Sequence, residues 1–306
     1  MKKVIAITGL SGVLGKKLLE SLPSSFKKEY EFIDLYHSKR ISISDPNISI
    51  SHQKIDLNEK LTITQILAKI NPSVIIHLAA VTHIDKCEKD KNNGKNGLVW
   101  QINVTATKKI VEFCKKNNVH LIYLSTECVF DGKSKKSYLE KSKTNPINWY
   151  GNTKAHAEQI IMESNIAWTI IRSVIAYDLD ESVPSIFSAI NNSFKKNTHF
   201  SVVSDQKFTP TFIPDIYKSI WRVIKNNQLG IFHITPPNSI TPYQFAIAIG
   251  KHFGYDLSLV RKQRMIEYMG VDSAKLRLKN ASLDSKASAQ SLKFKPKNIL
   301  DALKNT

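Results

Sequence analysis

The chain has 306 residues and a formal net charge of +18, because its 44 lysine and arginine residues outnumber its 26 aspartate and glutamate residues. Its 42% hydrophobic and 23% charged residues are ordinary globular usage and exclude a disordered, collagen-like or coiled-coil chain. No apolar run approaches the roughly 18 residues of a membrane helix, and residues 1–9 reach a glycine before the apolar core of a secretory signal is complete. The three cysteines do not have the spacing of metal ligands, and their odd number favours reduced thiols. The sequence therefore predicts a cytoplasmic protein with no membrane insertion and no metal site.

The positive charge permits nucleic-acid binding but does not identify it. The lysines are spread along the chain in pairs such as Lys108-Lys109 and Lys195-Lys196, without the interleaved aromatic residues or the known module that base readout needs. We therefore expect solvated basic faces, no specific nucleic-acid partner, and a positive potential that attracts an anionic substrate.

Short β-branched segments alternate with helical ones along the first half of the chain. Strands are predicted at 3–8, 30–36, 48–55, 74–78, 120–125 and 168–171, and helices at 13–22, 60–70, 98–117 and 150–164. Connections of this length imply right-handed βαβ units and an α/β fold with a doubly wound parallel sheet, the Rossmann architecture. Beyond Ser173 prolines accumulate and helices dominate. We expect a Rossmann domain at 1–172 and a smaller, mostly helical substrate domain at 173–306, with about 205–234 returning to the first.

The first predicted strand runs directly into a glycine-rich turn with GxxGxxG spacing, and the predicted helix follows at once. Glycine at such a junction admits unusual backbone angles, lets the backbone approach a pyrophosphate and allows close packing, and the helix N-terminus would face the phosphates. We therefore expect a dinucleotide to contact this turn through Gly9, Ser11, Gly12, Val13, Leu14 and Gly15.

The end of the second strand distinguishes NAD from NADP, because an acidic residue there binds a ribose hydroxyl whereas basic residues accept a 2′-phosphate. The strand contains Asp34, which keeps NAD(H) open, but Tyr36 occupies its terminal position and Ser38, Lys39 and Arg40 follow directly. These three residues predict a phosphate clamp and favour NADP(H).

An ordered series of segments along essentially the whole chain resembles the extended short-chain dehydrogenase/reductase family, in its dTDP-4-dehydrorhamnose reductase-like branch. Besides the glycine turn, the series comprises Asp56-Leu57, HLAA at 77–80, Thr82, Asn103-Val104-Thr105, STECVFDG at 125–132, NPINWYGNTK at 145–154, Asp205-Gln206 and NASLDSK at 280–286. The resemblance implies that Asp56, Leu57, Ala79, Ala80, Asn103, Tyr150 and Lys154 contact the cofactor. It implies substrate contacts for Thr82, Glu127, Cys128 and Ile175.

The resemblance also implies a catalytic triad of Thr126, Tyr150 and Lys154, and the chemistry of these residues agrees with it. Tyr150 and Lys154 are four residues apart in a predicted helix, so they share one face, and a nearby ammonium lowers the pKa of a tyrosine from its usual value of about 10. Thr126 follows the fifth strand, at the sheet edge where open α/β folds bind ligands. Thr126 would orient a ketone, Tyr150 would protonate it, and Lys154 would hold the ribose and tune Tyr150.

Departures from the family pattern narrow the reaction. Dehydratases carry an Asp-Glu pair where this chain has Glu127-Cys128, which argues against dehydration. Epimerase/reductases of the family have a cysteine at the position of Cys128, but the histidine that they also use is missing from residues 177–184. Ile175 replaces the tryptophan of rhamnose-pathway reductases, and Lys16 replaces an acidic residue, which argues against a magnesium site.

The leading hypothesis is an NADPH-dependent oxidoreductase that reduces a nucleotide-linked 4-keto-6-deoxy sugar for surface polysaccharide synthesis. One alternative is a non-catalytic NADP-binding subunit that resembles the regulatory subunit of methionine adenosyltransferase. Another is a sugar-nucleotide epimerase/reductase. The sequence leaves open the base and sugar of the substrate, and a homodimer.

Overall fold

The computed structural model describes residues 2–59 and 62–304, which form two compact units. The first contains the described residues of Met1–Ser125, together with Trp149–Ile171 and Ile220–Ile231. The second contains Thr126–Asn148, Arg172–Ser219 and the described residues of Phe232–Thr306. The chain therefore passes between the units five times, and one of these passages follows Ile171.

Two segments are divided differently from the predicted domains. Residues 126–148 belong to the second unit, because Tyr138 N–H donates to Ser282 O at 2.9 Å and Asn280 N–H donates to Gly132 O at 3.1 Å. The segment that returns to the first unit is Ile220–Ile231, which is shorter than the predicted 205–234.

A seven-stranded sheet with the order β3-β2-β1-β4-β5-β6-β9 forms the centre of the first unit. The strands are β1 (Lys3–Thr8), β2 (Tyr30–Tyr36), β3 (Ile50–Lys54), β4 (Val74–His77), β5 (His120–Thr126), β6 (Trp168–Ser173), β7 (Phe200–Val203), β8 (Lys207–Phe208), β9 (Gly230–His233), β10 (Val260–Gln263) and β11 (Asn280–Ala281). β1 pairs in parallel with β2 and β4, which places Thr8 opposite Leu35 and His77. The doubly wound α/β fold is thereby confirmed.

The central strands are continuous apolar runs, because a parallel sheet is covered on both faces. Ile5, Ala6 and Ile7 of β1 and Ile75 and Ile76 of β4 are fully buried. The strand order reverses between β1 and β4, and open α/β sheets bind their ligands at the carboxyl ends of the strands beside such a switch point.

The helices of the structure are mostly short. They are α1 (Ser24–Glu29), α2 (Thr62–Ile70), α3 (Ile84–Asp90), α4 (Leu98–Trp100), α5 (Ala106–Asn117), α6 (Trp149–Met162), α7 (Ile186–Lys195), α8 (Ile213–Lys225), α9 (Pro242–Phe253), α10 (Met265–Met269), α11 (Val271–Lys275), α12 (Lys286–Ser291) and α13 (Ile299–Leu303). The helix predicted at 60–70 corresponds to α2, and its first two residues lie outside the described residues.

The predicted helix at 13–22 is wrong. Residues 10–18 form successive turns, with Gly15 N–H and Lys16 N–H both donating to Gly12 O, and only Leu19–Ser21 is a 3-10 helix. Glycine is a poor helix former, and a Cβ on Gly15 would collide with the backbone of Leu10. The segment therefore makes single helix-type hydrogen bonds but packs on Leu10 as turns, and no regular helix N-terminus follows the glycine turn.

The predicted helix at 98–117 is continuous but irregular. Its middle, Gln101–Thr105, is a π-helical turn between α4 and α5, and such turns are frequent at functional sites. The sequence analysis predicted one continuous helix here and did not anticipate this turn.

The second unit contains two small parallel sheets, β7 with β10 and β8 with β11. Helices α7 and α9 pack beside β7, where the ring of Phe194 stacks on Tyr255 with centroids 5.0 Å apart. Within residues 2–59 and 62–304, no helix has the length and apolarity that crossing a membrane requires.

Candidate active site

A cavity of about 540 Å³ lies at the carboxyl ends of β1, β2, β3 and β4, in the first unit. Ten predicted site residues line it: Gly9, Ser11, Gly12, Val13, Leu14, Asp56, Leu57, Ala79, Ala80 and Thr82. Thr82 was predicted to contact the substrate, and the other nine were predicted to contact the cofactor. The lining also includes Asp34, which the sequence kept as a sign of NAD(H), together with Tyr36, His37, Asn58 and Val81. Gly15, Ser38, Lys39, Arg40, Asn103, Tyr150 and Lys154 lie outside this lining, and the cofactor contacts of both groups stay predictions.

The glycine turn closes tightly on the end of β4. Gly9 has φ +80°, and a Cβ placed on it would lie 2.6 Å from the backbone nitrogen of Ala79. Gly12 N–H donates to Gly9 O at 3.1 Å, which completes the turn. Only glycine meets both requirements at position 9, a positive φ and this close approach.

A buried hydrogen-bond chain fixes the carboxyl ends of β1 and β4 relative to each other. Thr107 Oγ1 donates to Asn103 O at 2.8 Å, so it accepts from His77 Nε2 at 3.1 Å. His77 Nδ1 then accepts from Thr8 Oγ1 at 2.7 Å, and Thr8 Oγ1 accepts from Ala79 N–H at 3.3 Å. Burial lowers the pKa of His77 to about 3, so the ring is neutral and structural.

Asp34 is a 1% exposed residue of the cavity lining, and one of its carboxylate oxygens has no partner in the described part of the chain. His52 Nδ1 of β3 lies 3.0 Å from Asp34 Oδ2, and Oδ1 has no hydrogen-bond partner among the described residues. An unpartnered buried carboxylate oxygen is costly unless a ligand satisfies it. Asp34 therefore fits a hydroxyl donor such as a ribose.

Arg40 is aligned with the end of β2 by Tyr36. Its Nη2 donates to the Tyr36 hydroxyl at 2.9 Å, and its guanidinium carbon lies 4.9 Å from the ring centroid. Ser38, Lys39 and Arg40 are exposed. Arg40 keeps further N–H groups for an anion, because one hydrogen bond uses only one of its five donors.

Asn103, predicted to contact the cofactor, is held by hydrogen bonds within the first unit. It is buried in the π-helical turn, where its Oδ1 accepts from Val81 N–H at 2.8 Å. Its Nδ2 donates to Val81 O and to Thr153 Oγ1, both at 3.0 Å. All the hydrogen-bonding atoms of the amide are thus used within the protein. Asn103 links the cavity wall at Val81 to helix α6 and positions both.

Helix α6 carries Tyr150 and Lys154 one turn apart, as predicted. Lys154 is 2% exposed, its Nζ donates to Leu124 O of β5 at 2.7 Å, and it lies 3.8 Å from the ring centroid of Tyr123. Burial lowers the pKa of Lys154 to about 7, although Glu158 opposes the shift. Tyr150 is half-buried in the first turn of the helix.

In the second unit, Thr126, Glu127 and Cys128 form a buried hydrogen-bonded group at the end of β5. Thr126 Oγ1 lies 2.8 Å from Glu127 Oε2 and accepts from Cys128 N–H at 3.2 Å. Cys128 Sγ donates to Glu127 Oε1 at 3.8 Å. Burial raises the pKa of Glu127 to about 7 and keeps the pKa of the Cys128 thiol well above its usual value.

A basic cavity of about 760 Å³ also belongs to the second unit. Six cationic side chains line it, against two carboxylates, Asp131 and Asp205; the cations are Lys133, Lys135, Lys207, Lys275, Arg277 and Lys279. This charge balance suits a diphosphate. Ile175, at φ +26°, lines a separate cavity of about 420 Å³ with Phe200 and Tyr268. The family resemblance indicated Ile175, but no sequence pattern indicated that these lysines converge.

Comparisons with known proteins support one family. The model described as "RmlD substrate binding domain" matches residues 1–306. The chain is 25% identical over 256 residues to the dTDP-4-keto-6-deoxy-D-glucose reductase of Streptomyces niveus, covering 83% of this chain and 80% of the relative. It is also 25% identical over 289 residues to methionine adenosyltransferase 2 subunit beta of Bos taurus, covering 92% and 80%.

A solved structure has the same fold. The dTDP-4-dehydrorhamnose reductase of Bacillus anthracis, in complex with NADP, matches with a TM-score of 0.82 and 24% sequence identity, covering 100% of this chain and 98% of the other.

Proposed function

Because this chain belongs to the RmlD substrate-binding-domain family, we propose that it is an oxidoreductase that reduces the keto group of a dTDP-linked sugar with NADPH. More specifically, we propose that the substrate carries a 4-keto-6-deoxy sugar and that the product is used for surface polysaccharide synthesis. The observation that carries it is the first unit itself. One edge of its sheet offers a dinucleotide-sized cavity closed by Gly9, and its helix α6 holds Tyr150 one turn before the buried Lys154.

The cavity residues fit the proposed cofactor. The glycine turn brings the backbone close to a pyrophosphate, and Asp34 Oδ1 is free for a ribose hydroxyl. Arg40, aligned by Tyr36, supports a 2′-phosphate and therefore NADP(H), whereas Asp34 supports NAD(H) as a second cofactor. When bound, the reduced nicotinamide supplies the hydride.

The chain's own residues supply the remaining chemistry. Tyr150 protonates the oxygen of the former ketone, and Thr126 polarises that ketone through its hydroxyl. Lys154 donates to Leu124 O of β5, and its proposed role is the one that the family resemblance implies, to hold the ribose and tune Tyr150. No group of three or more potential metal-ligating side chains occurs in the described part of the chain, and this proposal uses none.

The cavities of the second unit support a nucleotide sugar as substrate. The six cations of the basic cavity outnumber its two carboxylates, so the cavity would attract the negative charges of a diphosphate before any specific contact forms. The neighbouring apolar cavity with Ile175, Phe200 and Tyr268 suits a flat or apolar part of the ligand.

The burial of Cys128 and the presence of the predicted triad weigh against the epimerase and the non-catalytic subunit. An epimerase needs a thiolate at Cys128, but this thiol is buried and its raised pKa keeps it protonated. The similarity to methionine adenosyltransferase 2 subunit beta favours a non-catalytic subunit, yet such a subunit has no need of Thr126, Tyr150 and Lys154 together.

The decisive experiment follows NADPH consumption with a panel of dTDP-, UDP- and GDP-linked 4-keto sugars. We expect turnover of a dTDP sugar, and Tyr150→Phe should lower it by roughly 10²- to 10⁴-fold, because only the general acid is removed. NADPH affinity should change little. A wild type that binds NADPH but reduces nothing in the panel would favour the subunit alternative. Wild-type turnover in Tyr150→Phe would disprove the catalytic assignment.

A further inference from the structure

Thr126 has a single hydroxyl proton, and the structure shows what competes for it. The hydroxyl oxygen has two lone pairs, one of which accepts from Cys128 N–H at 3.2 Å. Glu127 Oε2 lies 2.8 Å from the same oxygen, within a group that is only 7% exposed. The Thr126–Glu127 hydrogen bond can have either direction, depending on which of the two groups holds the proton.

The two directions leave different groups available to a substrate. If Glu127 is a carboxylate, it can only accept, so Thr126 donates its proton to Glu127 and presents a lone pair outward. If Glu127 is a carboxylic acid, it donates to the second lone pair of Thr126, and the hydroxyl proton becomes free for a ketone oxygen. Only the second arrangement polarises a ketone.

We propose that Glu127 is a positioning residue whose protonation state decides whether Thr126 donates a hydrogen bond to the substrate ketone. This inference rests on the proposed reductase function. It assigns Glu127 no contact with the ketone, which differs from the substrate contact implied by the family resemblance.

The surroundings of Glu127 allow both protonation states near neutral pH. Burial raises its pKa to about 7, while the hydrogen bonds from Thr126, from its own backbone and from Cys128 oppose the shift. Within the second unit, the titratable group that faces it is the Cys128 thiol, which donates to Oε1. Arg277 and the Asn148 amide act on the Cys128 thiol and lower its pKa. Asn148 Nδ2 itself donates to Leu276 O at 2.9 Å.

Glu127→Gln tests the proposal, because the amide can donate to Thr126 Oγ1 at every pH and so mimics the protonated acid. We expect the ratio of kcat/KM of the wild type to that of Glu127→Gln to be constant below about pH 6 and to fall about tenfold per unit above about pH 8. The ratio cancels the titration of Lys154, which both proteins share. A ratio that does not change with pH, or a folded Glu127→Gln variant that is inactive at every pH, would overturn the proposal.

Thr126→Ala provides the matched control. With no hydroxyl to orient, the residual activity of Thr126→Ala and of the double variant with Glu127→Gln should have the same pH profile. If the pH profile of Thr126→Ala has a limb that the double variant lacks, Glu127 acts on activity without the Thr126 hydroxyl and the proposal fails.

A measurement without substrate separates this inference from the proposed function. Infrared difference spectra between wild type and Glu127→Gln follow the carboxylic acid band of Glu127 during a pH titration. We expect a midpoint near 7, and a higher midpoint in Thr126→Ala, because the carboxylate then loses a donor. A midpoint in the ordinary range for glutamate, unchanged by Thr126→Ala, would overturn the inference even in an active enzyme. The expected midpoints would support it even if no sugar in the panel were reduced.

Discussion

Gly9→Ala is the substitution whose cost the structure defines best. The residue has φ +80°, which costs an L-residue roughly 1–2 kcal/mol. The new Cβ would also lie 2.6 Å from Ala79 N and 2.9 Å from Ala79 Cα, so the turn must move away from β4, and overpacking of this kind costs about 1–3 kcal/mol. The sum is a loss of roughly 2–5 kcal/mol in the free energy of unfolding.

Urea titration of wild type and variant measures this loss, and titration with NADPH measures the accompanying loss of cofactor affinity. Gly254→Ala is the control, because Gly254 also has a positive φ, in the left-handed region at the end of α9, but no heavy atom lies within 4 Å of the position that its new Cβ would take. The control should therefore show only the backbone strain. If Gly9→Ala costs no more than Gly254→Ala, the close approach to Ala79 does not constrain the turn.

Two further predictions concern charged groups of the first unit. Arg40→Ala should weaken NADPH binding by about tenfold or more and leave NADH binding unchanged, because a charge-assisted bond to the 2′-phosphate is worth roughly 1.5–3 kcal/mol; equal losses in fluorescence titrations would contradict this. The pKa of Lys154 is about 7 in the folded protein and about 10.4 in the unfolded chain, so the unfolded chain binds more protons between these two pH values. The free energy of unfolding should therefore rise with pH in this range, by up to about 1.4 kcal/mol per pH unit. Lys154→Met should abolish this rise in chemical denaturation between pH 7 and 9, and identical slopes in both proteins would show that Lys154 is not desolvated.

The central sheet could be predicted closely because local pattern and tertiary role agree there. β1 and β2 have the predicted bounds, since the sequence of a buried parallel strand is an apolar run between polar turns. The helix at 13–22 failed because its shape depends on contact between Gly15 and Leu10, which no local pattern reports. The sequence near residues 126–148 does not indicate their place in the second unit either, since their hydrogen-bond partners lie about 150 residues later.

The sequence likewise predicted some residues of the candidate site and missed others. Motif spacing predicted Gly9 and Gly12, and the family resemblance predicted Thr126. Asp34 and His52 meet only through the register of β2 with β3, which sequence alone did not provide. The direction of the hydrogen bond between Thr126 and Glu127 depends on the protonation of Glu127, which burial shifts. The burial of Glu127 depends on the folded structure and not on the residues next to it in sequence.

The π-helical turn at Gln101–Thr105 has a consequence for insertions and deletions. Such a turn accommodates one residue more than the α-helix would, while the helices on either side keep their relative rotation. Loss of one residue from it would therefore restore an ordinary helix without displacing Ile110 or Cys114 from the core. What would disappear is the placement of Asn103 against Val81 and Thr153. A relative shortened by one residue at this point should keep its fold and lose the connection between its cofactor cavity and the helix that carries the tyrosine.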